Sequence, residues 1–300
     1  KPRKRSTTSK LRGNMIYCSR RGRDYVSLFE QTFHALAFND ADARRELLKN
    51  TLRLADIDGM LPAYTTDGQV QFGYSIAPVY AVALRETESL ELTRALVKNA
   101  GWWRRQRVSN GFSVPAYAYP REAGIDAGFS FDDYGAALSP DLLSYLVLLY
   151  SSIAENTGDQ MWAVSAEQTL QVLLGELADD SGFVAKGVLS RKTEHISGIL
   201  PYVPLILGGR LPSNLTDKLA DRIEKDDFWQ IEKDIPAVAL LVYGLLASGR
   251  RAAAQRVGDW YVSRVKLCGF VNNAGDEFAS TWAAASYLYI VSALGSKEDA

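Results

Sequence analysis

The sequence predicts an all-α fold in which hairpins of amphipathic helices close into a ring. Three observations predict it. Helical periodicity recurs along the 300 residues, whereas convincing strand patterns do not. Apolar helical segments alternate with more charged, amphipathic ones. The long loops fall after the charged member of a pair, which gathers them on one rim.

Taken in order, residues 25–38 carry apolar side chains at 25, 26, 28, 29, 33, 36 and 37, the spacing of one helical face. Asn39-Asp40 caps a second helix, 41–55, rich in Arg, Glu, Leu and Lys. Asp-Gly pairs at 58–59 and 67–68 mark a loop over 56–74. Helices follow at 75–86 and 88–107, and then a long aromatic, Gly-rich stretch to 138 with no clean period. Ser139-Pro140-Asp141 is a strong start signal: a cap, Pro at the first helical position and an acid in the first turn. The helix it opens, 141–156, is apolar almost all round and is expected to be buried. Gly158 ends it and Asp159 caps the next, 160–177. Pairs then follow at 194–207 with 213–224 and at 235–248 with 250–265, and an apolar helix at 280–294 closes the chain.

This gives six inner-type and five outer-type helices, so the outer layer of the ring is expected to be incomplete. Loops at 56–74, 108–138 and 178–192 share a rim, and long loops on a rigid scaffold are where sites concentrate. Unit lengths of roughly 40–60 residues and the lack of tight motifs argue against a TPR or HEAT array.

Composition bounds the function. A chain that is 47% hydrophobic can bury a large core. Charge is nearly balanced, at 34 basic against 35 acidic residues. Nine of the basic residues lie within 1–23, which contains no acid and leaves 25 basic against 35 acidic residues elsewhere. Such a segment fits either a nucleic-acid or membrane-surface arm or a solvated terminus; the absence of a helical or aromatic pattern favours the terminus. Residues 1–22 are therefore expected to be a flexible basic segment and 23–296 a single domain. Nucleic acid is not an expected partner. Cys18 and Cys268 make neither a disulfide framework nor a metal cluster, and no apolar run is long enough to span a bilayer. The basic start leads into no apolar stretch, so no signal peptide is read. A soluble, cytoplasmic protein without cofactor or metal is the expectation.

Several short motifs, in order, resemble the (α/α)6-barrel glycosidases: trehalase, the glycoside hydrolase family 63 enzymes and their mannosylglycerate-hydrolase-like relatives. Glu122-Ala-Gly-Ile-Asp126 followed by Ser139-Pro-Asp-Leu-Leu is similar to the family's Glu-Ser-Gly-Trp-Asp, loop and Pro-Asp-Leu. Asp58-Gly-Met-Leu-Pro62 resembles its Asp-Gly-Met-Ile-Pro loop, and Phe72-Gly-Tyr-Ser-Ile-Ala-Pro78 its Ser-Gln-Pro-Pro helix start. Ile196-Ser-Gly-Ile-Leu-Pro201 and Ser280-Thr-Trp-Ala-Ala-Ala285 resemble two further inner helices. The resemblance runs from about residue 23 to 294 and implies a six-hairpin (α/α)6 toroid.

It also implies inverting hydrolysis of an α-linked glucoside or mannoside. In that reaction a carboxylic acid protonates the departing oxygen while a carboxylate roughly 6.5–9.5 Å away activates water. Asp126 matches the family's acid, and Glu122, Phe129 and Phe131 are the residues expected to supply the desolvated or charged setting that keeps it protonated. The family's base is a Glu shortly after a Gly-Phe turn, but Gly269-Phe270-Val271-Asn272-Asn273 puts Asn there, and Asn cannot accept water's proton. The nearest carboxylates are Asp276 and Glu277, so Glu277 is the candidate base; the plainer role for it is a cap or a solvated acid. Ile125 stands where the family has Trp, Ser27-Leu28 after Arg23-Asp24 where a Trp-Asp pair opens the first inner helix, and the Trp-Arg-Gly-Pro segment is missing. Asp24, Tyr74, Asn272 and Trp282 complete the expected substrate-binding set. Aromatic faces such as Tyr74 and Trp282 suit either sugar stacking or core packing.

Plainer readings cover the remaining motifs. Asp132-Asp133 reads as turn chemistry, since no second acidic motif faces it. Trp102-Trp103 lie on an outer helix, where hairpin packing accounts for them. His34 and His195, both read on helices, have no nucleophilic partner. Two function classes stand beside the hydrolase: a degenerate barrel that binds carbohydrate or acts as an interaction scaffold without turnover, favoured by the lost base, and an unrelated α-toroid lyase or epimerase.

Overall fold

The structure is a computed structural model. It describes residues 11–12, 15–16, 18–20, 23–27, 37, 42, 45–46, 62–66, 69–72, 90–105, 117–118, 136–179, 182–187, 191–195, 213–225, 238–269 and 281–295. Among these, long helices provide the core and short strands connect them. The helices are α1 (Leu90–Arg105), α2 (Pro140–Thr157), α3 (Gln160–Glu176), α4 (Ser213–Lys225), α5 (Val238–Ala247), α6 (Arg251–Cys268) and α7 (Thr281–Gly295). Each matches a helix expected from the periodicity to within three residues at either end. Ala37, Asp42, Arg45 and Glu46 are also helical, and the Arg45 guanidinium bridges Asp42 at 2.8 Å, a pair separated by one turn. The helices read at 75–86 and over most of 194–207 lie outside the described residues.

The α2–α3 hairpin shows how local chemistry builds the frame. Pro140 opens α2, and the Leu143 amide donates to the Ser139 carbonyl at 3.0 Å. Gly158 closes the helix in the left-handed conformation (φ 71°), which glycine adopts without a Cβ penalty, and its N–H reaches the Ala154 carbonyl. The Asp159 carboxylate then accepts the Met161 amide at 2.9 Å and starts α3. Residues 142–153 of α2 are buried on every side. Two of its three buried serines are satisfied within the helix, Ser144 donating to the Pro140 carbonyl and Ser151 to that of Val147, both at 2.6 Å. On the next helix, Trp162 stacks on Tyr150 at 5.7 Å while the Arg104 guanidinium of α1 lies 5.5 Å from the Trp162 ring.

The second group follows the same inner and outer alternation. Residues 238–245 of α5 are wholly buried, whereas α4 and α6 each show a wet and a dry face. One hydrophobic cluster runs from Leu96 of α1 through Leu142, Leu146 and Ile153 of α2 to Leu241 of α5, Tyr261 of α6 and Ile290 of α7. Gly258 lets α6 approach α7: a Cβ there would collide with Leu294 and sit 3.2 Å from Ile290. The final helix departs from its reading as a fully apolar inner element. Leu288 is 50% exposed and Val291 43%, leaving an apolar stripe at one face of α7.

The main correction concerns strands, which the sequence reading did not expect. β1 (Leu11–Arg12) pairs with β2 (Met15–Ile16), and β3 (Cys18–Arg20), β4 (Arg23–Ser27), β5 (Pro62–Thr66) and β6 (Gln69–Phe72) form a four-stranded antiparallel sheet in that order. Part of the basic segment expected to be flexible is therefore in strands, and β3 pairs with β4 across residue 22. Residues 25–27, read as the start of a helix, extend as β4 against β5. Three residues are too few to carry a period of either kind, and pairing with β5 makes Tyr25-Val26-Ser27 extended.

A second sheet is built from the two later loops. β7 (Tyr117–Ala118), β8 (Ala136–Leu138), β10 (Gly182–Gly187) and β11 (Thr193–His195) lie in the order β11-β10-β8-β7, with β9 (Ala178–Asp179) paired to β10. His195 is thus on a strand rather than a helix, and the helix read from 194 begins as β11.

Candidate functional site

The second sheet frames the segment that carries the acid motif. Tyr117 pairs with Ala137 and Ala118 with Ala136, so residues 119–135 begin and end at one short antiparallel ladder. That segment contains Glu122, Asp126 and Phe129, all three outside the described residues. β8 then runs through Leu138 straight into Ser139 and the buried start of α2. Ser139 occupies the N-cap position with extended backbone but makes no side-chain cap bond; its hydroxyl, on a residue 1% exposed, is unpaired. The cap expected there is supplied by backbone and Pro140 alone.

β10 holds the frame together. Its Lys186 and Gly187 pair with Leu138 and Ala137 of β8, its Val184 and Ala185 with His195 and Glu194 of β11, and its Phe183 with Ala178 of β9. The Val184 amide donates to the Leu177 carbonyl at 2.8 Å, tying the strand to the end of α3. The Lys186 ammonium meets the Glu176 carboxylate in the last turn of α3 at 2.7 Å. A tight return between β10 and β11 is closed by the Gly187 amide on the Lys192 carbonyl and the Arg191 amide on the Gly187 carbonyl. Arg191 takes the left-handed conformation (φ 59°) to make it.

The segment carrying the candidate base is framed by helices instead. α6 ends at Gly269, whose positive φ of 75° releases the chain and whose N–H donates to the Val265 carbonyl at 2.8 Å. Asn272 and Glu277 follow, outside the described residues, before α7 begins at Thr281. The buried Tyr261 hydroxyl of α6 donates to the Ala283 carbonyl at 2.8 Å, fixing the first turn of α7 against α6. Trp282 lies in that first turn. Asp24 sits on β4 opposite Ser19 of β3, in the other sheet. Tyr74 lies outside the described residues, two positions after β6 ends at Phe72.

Of the eight expected site residues, the described structure thus gives a backbone address to Asp24 and Trp282, and to the ends of the segments that hold Glu122, Asp126, Phe129, Asn272 and Glu277. Sequence reasoning missed Tyr261, which ties the start of α7 to α6. For Tyr261 the signal was present: an aromatic with a polar tip at mid-helix on the buried face needs a partner. Trp102 and Trp103 pack edge to face at 4.9 Å on α1, with Trp103 buried, as expected for hairpin packing. Among the described residues no group of His, Cys, Asp and Glu is arranged to hold a metal ion.

No protein-family model and no curated protein matches the sequence. Solved structures do match it in shape, nearly end to end. An uncharacterized conserved protein from Thermus thermophilus aligns with a TM-score of 0.70 at 14% identity, over 94% of this chain and 96% of that one. A GH63 mannosylglycerate hydrolase from the same organism, in complex with glucose, aligns at 0.67 and 13% identity over 93% of this chain and 96% of the other. The chain shares the fold of these two structures. An alpha-amylase from Clostridium perfringens extends the set, at a TM-score of 0.62 and 11% identity over 94% and 93% of the two chains. At such identities the shared fold is established and the reaction is not, since one fold hosts many reactions.

Proposed function

We propose that this chain is a glycoside hydrolase-like (α/α)6 toroid that hydrolyses an α-linked glucoside or mannoside with inversion. Asp126 is the general acid: its O–H protonates the glycosidic oxygen as the C–O bond breaks. Glu277 is the base, taking a proton from the water whose oxygen attacks the anomeric carbon from the opposite face. Glu122, Tyr74, Phe129, Asp24, Asn272 and Trp282 form the sugar-binding set.

The observation that carries the reading is the frame around residues 119–135. A motif similar to the family's acid motif lies between paired strands that lead directly into a buried, proline-started helix, within a chain that matches a GH63 mannosylglycerate hydrolase in shape over 93% of its length. Loops mounted on rigid elements hold reacting groups in register, which the chemistry requires. On this reading the ligand class is carbohydrate and the working compartment the cytoplasm.

The test is hydrolysis of a panel of α-glucosides and α-mannosides, mannosylglycerate included, with the anomer of the product read by NMR. Asp126→Asn is expected to lower kcat by roughly 10²–10⁴-fold, the range for a positioned general acid. Full activity in that variant excludes Asp126 as the acid, and a product that keeps the substrate's anomeric configuration excludes inversion.

Asn272 at the place of the family's base favours a second reading, carbohydrate binding without turnover. Glycosides that raise the melting temperature of the wild-type chain yet stay uncut identify that state.

A further inference from the structure

We infer that the exposed stripe of α7 is a self-association surface, on which a second copy of this chain lays the same stripe antiparallel about a two-fold axis. The inference stands whatever reaction the chain performs. The other strongly apolar helices, α2 and α5, are buried on every side over 142–153 and 238–245, and α7 is not. It packs on α6 through Ala283, Ile290 and Leu294, and on α5 through Tyr289, whose ring lies 6.0 Å from that of Tyr243. The other side of the helix carries Ala284, Tyr287, Leu288, Val291, Ser292 and Gly295, all half-buried or exposed. These positions recur three and four residues apart, so they form one continuous face. No charged residue occurs from Thr281 to Gly295, which leaves a charged partner nothing to recognise.

What fits this face is the face itself. Its six positions are symmetric about the point midway between Tyr289 and Ile290. Antiparallel pairing therefore sets Leu288 against Val291 of the second copy, Tyr287 against its Ser292 and Ala284 against its Gly295, each contact occurring twice. The two exposed aliphatic side chains meet at the centre, and the bulky tyrosine meets a small residue. Alanine and glycine at the ends let the helices approach. Each positive N-terminal dipole end also comes beside a negative C-terminal one. A helix of 15 residues is about 22 Å long and about 10 Å wide, so the contact covers roughly 200–400 Å² per copy. That is below the roughly 800 Å² per partner of a standard interface, and the association is correspondingly weak, with a Kd on the order of 100 μM.

Sedimentation velocity of the full chain, from about 5 to about 500 μM, should show a reversible monomer–dimer equilibrium. Leu288→Glu and Val291→Lys each set a charge against an apolar side chain. Either should weaken association about tenfold or more, with the melting temperature at low concentration nearly unchanged. An equimolar mixture of the two variants should recover the dimer. There the new carboxylate faces the new ammonium at one contact, while Leu288 and Val291 meet at the other. A wild-type chain that stays monomeric throughout overturns the inference, as does undiminished association in either variant. A mixture no more dimeric than its folded components overturns the antiparallel two-fold pairing. If Leu288→Glu fails to fold, Val291→Lys decides alone: lost association supports the inference and retained association overturns it.

Discussion

The hydroxyl of Tyr261 donates a buried 2.8 Å hydrogen bond to the carbonyl oxygen of Ala283, joining the middle of α6 to the first turn of α7. The two residues flank the stretch that holds Asn272 and Glu277. Tyr261→Phe keeps the ring in the core and deletes one bond, which should cost about 1 kcal/mol in denaturant unfolding. On the hydrolase reading kcat should fall as well, because the bond fixes where residues 270–280 rejoin the helix. A variant with unchanged stability and unchanged turnover argues that the bond positions nothing.

The approach of α6 to α7 at Gly258 makes a second prediction. Gly258→Val drives two branches into Leu294 and Ile290 and should destabilise the chain by about 1–3 kcal/mol. Gly258→Ala is milder, because Leu294 is the flexible neighbour and alanine recovers up to about 1 kcal/mol of helix propensity. Combining Gly258→Ala with Leu294→Ala should cost less than the two single changes added together, which a double-mutant cycle by chemical denaturation will read.

Leu146 sits at the centre of α2 with no exposed surface, inside the continuous core. Leu146→Ala should cost about 2–5 kcal/mol, the usual range for a cavity left by a buried leucine. By contrast, Val291→Lys on the exposed stripe of α7 should change stability by no more than about 0.5 kcal/mol. Equal effects from both substitutions, measured by thermal unfolding, would contradict the burial pattern.

The helices were legible because each is long and strongly patterned. Residues 141–156 announced both burial and a Pro start, and the structure extends that helix by one residue at each end, as Pro140–Thr157. The strands were not legible because most are two to six residues long, too short to display alternation. β10, Gly182–Gly187, reads Gly-Phe-Val-Ala-Lys-Gly, and Phe183, Val184 and Ala185 are all buried, so no polar face marks it as a strand. The β5–β6 hairpin is the exception. Thr66 pairs with Gln69, leaving Asp67-Gly68 between them, and Asp-Gly between extended residues is among the strongest hairpin signals. Of the site, the motif around Asp126 was readable as local sequence. The strands that frame it were not, because β7 and β8 are only two and three residues long.

The ladder at Tyr117–Ala118 and Ala136–Leu138 has an evolutionary consequence. Because both ends of the intervening 17 residues are tied to each other, the span between them can change length without disturbing the helices. Doubling it would cost about 0.6 kcal/mol in closure entropy, less than many single core substitutions. A lineage carrying this frame can therefore lengthen, trim or rewrite that span to suit a new ligand while inheriting an unchanged chassis.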